Sequence, residues 1–396
     1  MKKQLLHTPE GVRDIYNEEC EKKILLQSDL LGILKGYGYH PIQTPTFEFF
    51  DIFGKEIGTT PSKELYKFFD REGNTLVLRP DMTPSIARAA AKYFMDEDMP
   101  IRLCYMGNTF INNSSYQGRL KESTQLGAEL IGDSTVDADA EILSMTVECL
   151  QKAGLKDFQL SVGHADFFQG LVEAAGISEE DEEELRELLA NKNFFGVEEF
   201  AETLNLKAEL NELFHMLGSL NVDLNDLKRA KELAASYPRI LAAIHNLEEL
   251  HKVLEVYGIQ KYISFELGII SSYQYYTGII FSGYTFGSGE PIVKGGRYDR
   301  LLTYYGKTSA SIGFAIVIDQ LMAALSRQKI NISIETNGEL IVYTKANQAK
   351  AILSAKEKRA AGTPVETILK DDTKTNEDYQ NYAKRNRIRT VTFMED

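Results

Sequence analysis

The chain has 396 residues, with 58 Asp and Glu against 44 Lys and Arg, and its net charge of −14 disfavours a broad footprint on nucleic acid. Apolar residues make up 43% and charged residues 26%, without low-complexity tracts, so a folded protein of two or three domains is expected and a disordered one is excluded. No apolar stretch follows the lysines of MKKQLLHTPEGVRD and no run approaches the roughly 18 residues of a membrane span, so a soluble, cytoplasmic chain is expected.

Residues 17–38 put Ile24, Leu25, Leu31 and Leu34 on one face of a predicted helix that Gly36 and Gly38 stop. Residues 41–50 alternate β-branched and aromatic side chains, residues 75–80 form a short strand, 85–94 a helix and 100–107 another strand. A polar loop is predicted at 118–122. The stretch 123–132 reads as a strand interrupted by Gly127, followed by a helix capped near Asp137 and closed by Gly154, and then a strand at 156–164. From about 165 to 261 Leu, Phe and Ala recur at helical spacing, and the acidic run 179–184 opens one helix as solvated surface. Strands return at 262–270, 275–286 and 291–299, and IGFAIVIDQLMAAL, from Ile312, is predicted to be a helix. After a polar linker at 327–337, the tail alternates strand, helix, strand, helix, strand. The fold class is α+β, an antiparallel sheet flanked by helices: a core over 1–326 with a helical insertion, and a small α/β unit over 338–396.

Cys20, Cys104 and Cys149 cannot all pair and show no metal-ligand spacing, so reduced thiols and no metal site are expected. No nucleophilic triad, Walker loop or dinucleotide fingerprint is present. Seven strings nevertheless occur in a telling order: TPEGVRD, GYGYHPIQTPTFE, LRPDMT, QLGAELIG, YYTGIIF, KGGRYD and IGFAIVIDQL, from Thr8 to Leu321. Together they resemble the catalytic core of the class II aminoacyl-tRNA synthetases, and histidyl-tRNA synthetase in particular. The resemblance implies a mainly antiparallel sheet with the first helix and the Pro45 region at a dimer interface.

The residues that handle ATP in that synthetase are missing. Where its motif 2 reads phenylalanine-arginine-x-glutamate, this chain has Phe110, Ile111, Asn112 and Asn113; its motif 3 arginine is replaced within Asp319-Gln320-Leu321. The string that opens on a phosphate-binding arginine there is SSYQYY, residues 271–276, here. Positioned cations are the main stabilisers of a phosphoryl or adenylyl transition state, so adenylation is expected to be absent. The amino-acid side is kept: Asp81, Thr83, Gln125, Glu129, Tyr275 and Tyr276 fall where the synthetase lines its histidine pocket. Carboxylates suit a guest with charged N–H donors, and tyrosines give an apolar wall with a polar tip. With Ile111 in place of the carboxylate-binding arginine, Arg119 is the candidate cation.

A histidine pocket without ATP chemistry is similar to the regulatory subunits of ATP phosphoribosyltransferase. The resemblance implies a non-catalytic chain that needs no cofactor, partners the short-form catalytic subunit, self-associates as a dimer through residues 36–48 and transmits L-histidine feedback. The tail resembles a trimmed anticodon-binding domain with near-balanced charge, so tRNA is not expected as a partner. A divergent ligase and a histidine sensor with another client stay open as alternatives.

Overall fold

A computed structural model of the chain describes residues 6–54, 60–113, 119–271 and 275–395. Gly118 of the expected loop and Ser272, Tyr273 and Gln274 of the replaced arginine string lie outside these residues. The chain divides into two compact units, Met1–Asn331 and Ile332–Asp396.

The first unit opens with α1 (Asn17–Gly36), β1 (His40–Pro41), β2 (Phe47–Phe49), β3 (Lys67–Phe69), β4 (Thr75–Leu78) and α2 (Thr83–Tyr93). Next come β5 (Ile101–Phe110), β6 (Glu122–Ile131), α3 (Val136–Lys152) and β7 (Phe158–His164). Six helices then run in succession: α4 (Ala165–Ala175), α5 (Glu179–Ala190), α6 (Phe194–Thr203), α7 (Ala208–His215), α8 (Leu224–Leu233) and α9 (Pro238–Tyr257). The unit closes with β8 (Ile263–Phe265), β9 (Ile279–Thr285), β10 (Val293–Arg297), β11 (Ser311–Val317) and α10 (Ile318–Arg327). Eight strands form one sheet in the order β1-β5-β6-β11-β10-β9-β7-β8, antiparallel except at the β1-β5 and β7-β8 edges. Strands β2, β4 and β3 form a small antiparallel sheet beside it in the sequence.

Three local expectations are corrected. Helix α1 buries Leu26, Leu30 and Leu34, whereas Ile24 is 59% exposed and Leu25 38%; the i, i+4 row through Leu34 faces the protein and the row through Ile24 does not. Gly127 does not interrupt β6, which pairs continuously with β5 and β11. It is a glycine because a Cβ there would collide with the Phe314 carbonyl and the Tyr105 hydroxyl. The cap of α3 does fall near Asp137, at Thr135, whose hydroxyl accepts from the Ala138 amide. Finally, the run from Ile312 is strand β11 before it is helix α10. As a central strand covered on both faces, β11 lacks the alternation with polar residues that marks a half-exposed strand.

In the second unit β12 (Asn337–Tyr343), α11 (Gln348–Ala360), β13 (Val365–Leu369), α12 (Asn376–Arg385) and β14 (Ile388–Met394) build a parallel sheet in the order β13-β12-β14. Alternation along β12 sends Leu340 and Val342 against Tyr379 and Ala383 of α12, and Ile341 against Ala351 and Ala355 of α11. One helix therefore covers each face. Among the described residues of the whole chain no helix is long and apolar enough to cross a membrane.

Candidate ligand-binding site

The site is built on the middle of the large sheet. Pleating turns Gln125, Gly127 and Glu129 of β6 to one face, and the antiparallel register carries the rows across. Glu129 lies opposite Gly313 of β11, itself opposite Gly296 of β10; Gly127 lies opposite Ala315, itself opposite Lys294. Small residues thus form a low floor between Glu129 at one side and Lys294 at the other. At Gly313 a Cβ would drive into the Glu129 carboxylate, so only glycine permits this packing.

All six residues singled out for the pocket line one narrow cleft: Asp81, Thr83, Gln125, Glu129, Tyr275 and Tyr276. Asp81 and Thr83 stand at the start of α2, which packs Ile86, Ala87 and Ala90 into a core with Tyr275, Tyr298 and Leu301. Asp81 accepts from the Met82 amide at 2.7 Å and from the Tyr275 hydroxyl at 3.2 Å. Thr83 donates to Glu129 Oε1 at 2.9 Å and Tyr298 donates to Glu129 Oε2 at 2.5 Å. The rings of Tyr275 and Tyr276 tilt together with centroids 4.8 Å apart, and Tyr275 meets Tyr298 edge-on at 5.9 Å. The Gln125 Oε1 atom is buried without a hydrogen-bond partner among the described residues.

Burial governs the electrostatics. It pushes the Glu129 carboxyl up to about 8, against the bonds from Tyr298 and Thr83, and the nearby Asp81 charge adds to the rise. Burial raises Asp81 as well. Two such carboxyls gain most from a guest that brings its own positive charge. Lys294 stands at the mouth of the cleft, open to solvent yet crowded by protein, and this desolvation lowers its pKa.

A larger cavity adjoins the cleft and shares Gln125, Lys294 and Val317 with it. Ile111, Asn113 and Gln320, three of the positions where the synthetase resemblance calls for ATP-handling groups, line it, and Glu64, Glu290 and Asp319 make it acidic. Arg119 is here and not in the cleft. Its guanidinium pairs with Glu290 at 2.7 Å, which removes it from the place expected of it. Ser271 lines a third cavity, which shares Tyr276 with the cleft. Two arginines of the sequence strings are structural. Arg79 is buried and donates to the Thr44, Pro45 and Asn108 carbonyls, and Arg297 is locked to Asp139 at 2.6 Å and to the Asp133 and Thr135 carbonyls.

Residues 11–321 match the family model of histidyl-tRNA synthetase. A solved structure from Nostoc, a histidyl-tRNA synthetase, superposes with a TM-score of 0.78 over 97% of this chain and 90% of its own, at 20% identity, which is a likeness of fold. The curated ATP phosphoribosyltransferase regulatory subunit of Acetivibrio thermocellus is 38% identical over 92% of this chain and 87% of its own length. That of Ruminiclostridium cellulolyticum is 37% identical over 100% and 94%. The chain belongs to the ATP phosphoribosyltransferase regulatory subunits. A Bacillus halodurans structure described as an ATP phosphoribosyltransferase regulatory subunit/histidyl-tRNA synthetase matches at a TM-score of 0.85 and 31% identity, over 98% of both chains.

Sequence reasoning missed two members of this regulatory subunit's cleft. Tyr298, in the string KGGRYD, donates to Glu129, and Lys294, in the same string, lines the cleft where Arg119 does not.

Proposed function

We propose that this chain is the non-catalytic subunit that makes the short-form catalytic subunit of ATP phosphoribosyltransferase active and subjects it to L-histidine feedback in the cytoplasm. The observation that carries the reading is a pair of neighbouring cavities. One keeps two buried carboxyls, a threonine and a tyrosine wall for a cationic amino acid, and the other has Ile111, Asn113 and Gln320 at the ATP-handling positions. Histidine fits the first because its ammonium and ring N–H groups meet Asp81, Thr83, Gln125 and Glu129.

Loss of a single transition-state donor typically costs about 10²–10³ in rate, and the resemblance marks three cations as lost, at Ile111, Ser271 and Gln320. The purified chain is therefore expected to show no histidine-dependent pyrophosphate exchange and to charge no tRNA; exchange at a thousandth of a synthetase's rate would favour the ligase reading. Nucleic acid is further disfavoured by the helical stretch 165–261, which holds 20 Asp and Glu against nine Lys and Arg.

Self-association through residues 36–48 and the adjoining strand is supported by Phe47 and Phe49, 51% and 55% exposed on the edge of the small sheet. Feedback needs two states that histidine binds unequally, and a coupling of about 1–3 kcal/mol suffices. Mixed with the catalytic subunit, the chain is expected to co-elute, to raise its activity, and to make it histidine-sensitive. Glu129→Gln should blunt the inhibition while the variant still co-elutes. Separate peaks at micromolar concentration, with activity unchanged by mixing, would overturn the proposal in favour of a sensor with another client.

A further inference from the structure

An amino acid brings a carboxylate as well as an ammonium, and a cleft lined by the carboxyls of Asp81 and Glu129 offers that carboxylate no partner unless a cation stands opposite. Among the described residues lining the cleft, Lys294 is the sole cation. It forms no ion pair within 4 Å with a described residue, while Arg119, the other cation of the adjoining cavity, is spent on Glu290. Position favours it too. Lys294 sits two strands across from β6 and one row along from Glu129, so their Cα atoms are roughly 12 Å apart by ordinary strand spacing. Both side chains line the same cleft across that gap, so a ligand seated on the small floor between them can meet both ends. The residue between them in the Lys294 row, Ala315, is too small to block the ammonium.

We propose that Lys294 binds the carboxylate of the amino-acid ligand, taking over from the arginine replaced by Ile111, and so makes the cleft selective for the free acid over its alcohol. The assignment rests on the histidine-binding reading and adds its specificity. The regulatory signal then reports the acid itself, and an alcohol or amine that shares the imidazole ring is passed over.

Calorimetry at neutral pH with L-histidine and L-histidinol, on the full chain, tests it. The parent is expected to bind histidine about 10- to 150-fold more tightly than histidinol, the range of a charge-assisted bond. Lys294→Met should lose that preference with histidinol affinity little changed, which also shows the variant is folded; Lys294→Arg should retain the preference, and Arg119→Met should bind histidine as the parent does. A parent that binds histidine and a Lys294→Met that keeps the full preference, or a loss that follows Arg119→Met instead, overturns the assignment alone. If the parent binds neither ligand, the histidine reading falls and the assignment with it.

Discussion

Glu129→Gln is expected to give a protein more heat-stable at pH 8 than its parent and yet poorly able to hold L-histidine. Burial raises this carboxyl from its ordinary 4.5 to about 8. Between those values the folded chain keeps a proton that the unfolded chain has released, so the parent loses stability as pH rises from about 4.5 to 8 and levels off above. The accumulated loss is on the order of 3–5 kcal/mol, and an amide, which never ionises, escapes it. Melting temperatures of the two proteins should therefore coincide near pH 4.5 and diverge towards pH 8. The same substitution removes the carboxyl that would give up its proton to a cationic guest and should weaken histidine binding by about 1.5–3 kcal/mol. Parallel melting curves at both pH values would show that Glu129 is not strained by burial, and unchanged affinity by calorimetry that it does not touch the ligand.

Arg297→Met should act on the fold and not on the ligand. Arg297 and Asp139 are 7% and 2% exposed at their side chains, and their bond ties β10 to the first turn of α3. Removing the arginine strands a buried carboxylate, at a cost of about 3–5 kcal/mol. Adding Asp139→Leu should recover much of that loss, since an apolar pair leaves no charge to solvate. Thermal unfolding of the two variants separates these outcomes; a single variant that melts within about 1 °C of the parent would show that solvent reaches the site.

The six pocket residues were legible because each lies inside a string whose order is that of a known core, and strand pleating then brings positions far apart in the chain onto one face. Lys294 was not legible because nothing in one dimension tells that β10 lies two strands from β6. Arg119 misled for the opposite reason: nearness to Ile111 along the chain says nothing of Glu290, which comes from a distant segment. At Ile312 to Val317, apolar residues without polar alternation suit a covered strand and a buried helix equally well. Only the neighbours on either side, β6 and β10, decide for the strand.

The cavity lined by Ile111, Asn113 and Gln320 has a consequence for measurement in the cell. A synthetase with the same cleft consumes the amino acid it captures, so the filled fraction of its sites depends on turnover, on nucleotide supply and on how fast product leaves. On the proposed reading, capture is the last event here. A bound molecule departs unchanged, and occupancy follows the free concentration and a dissociation constant that the catalytic partner's state sets in turn. The loss of chemistry next door then makes the binding site a gauge that spends nothing of what it measures.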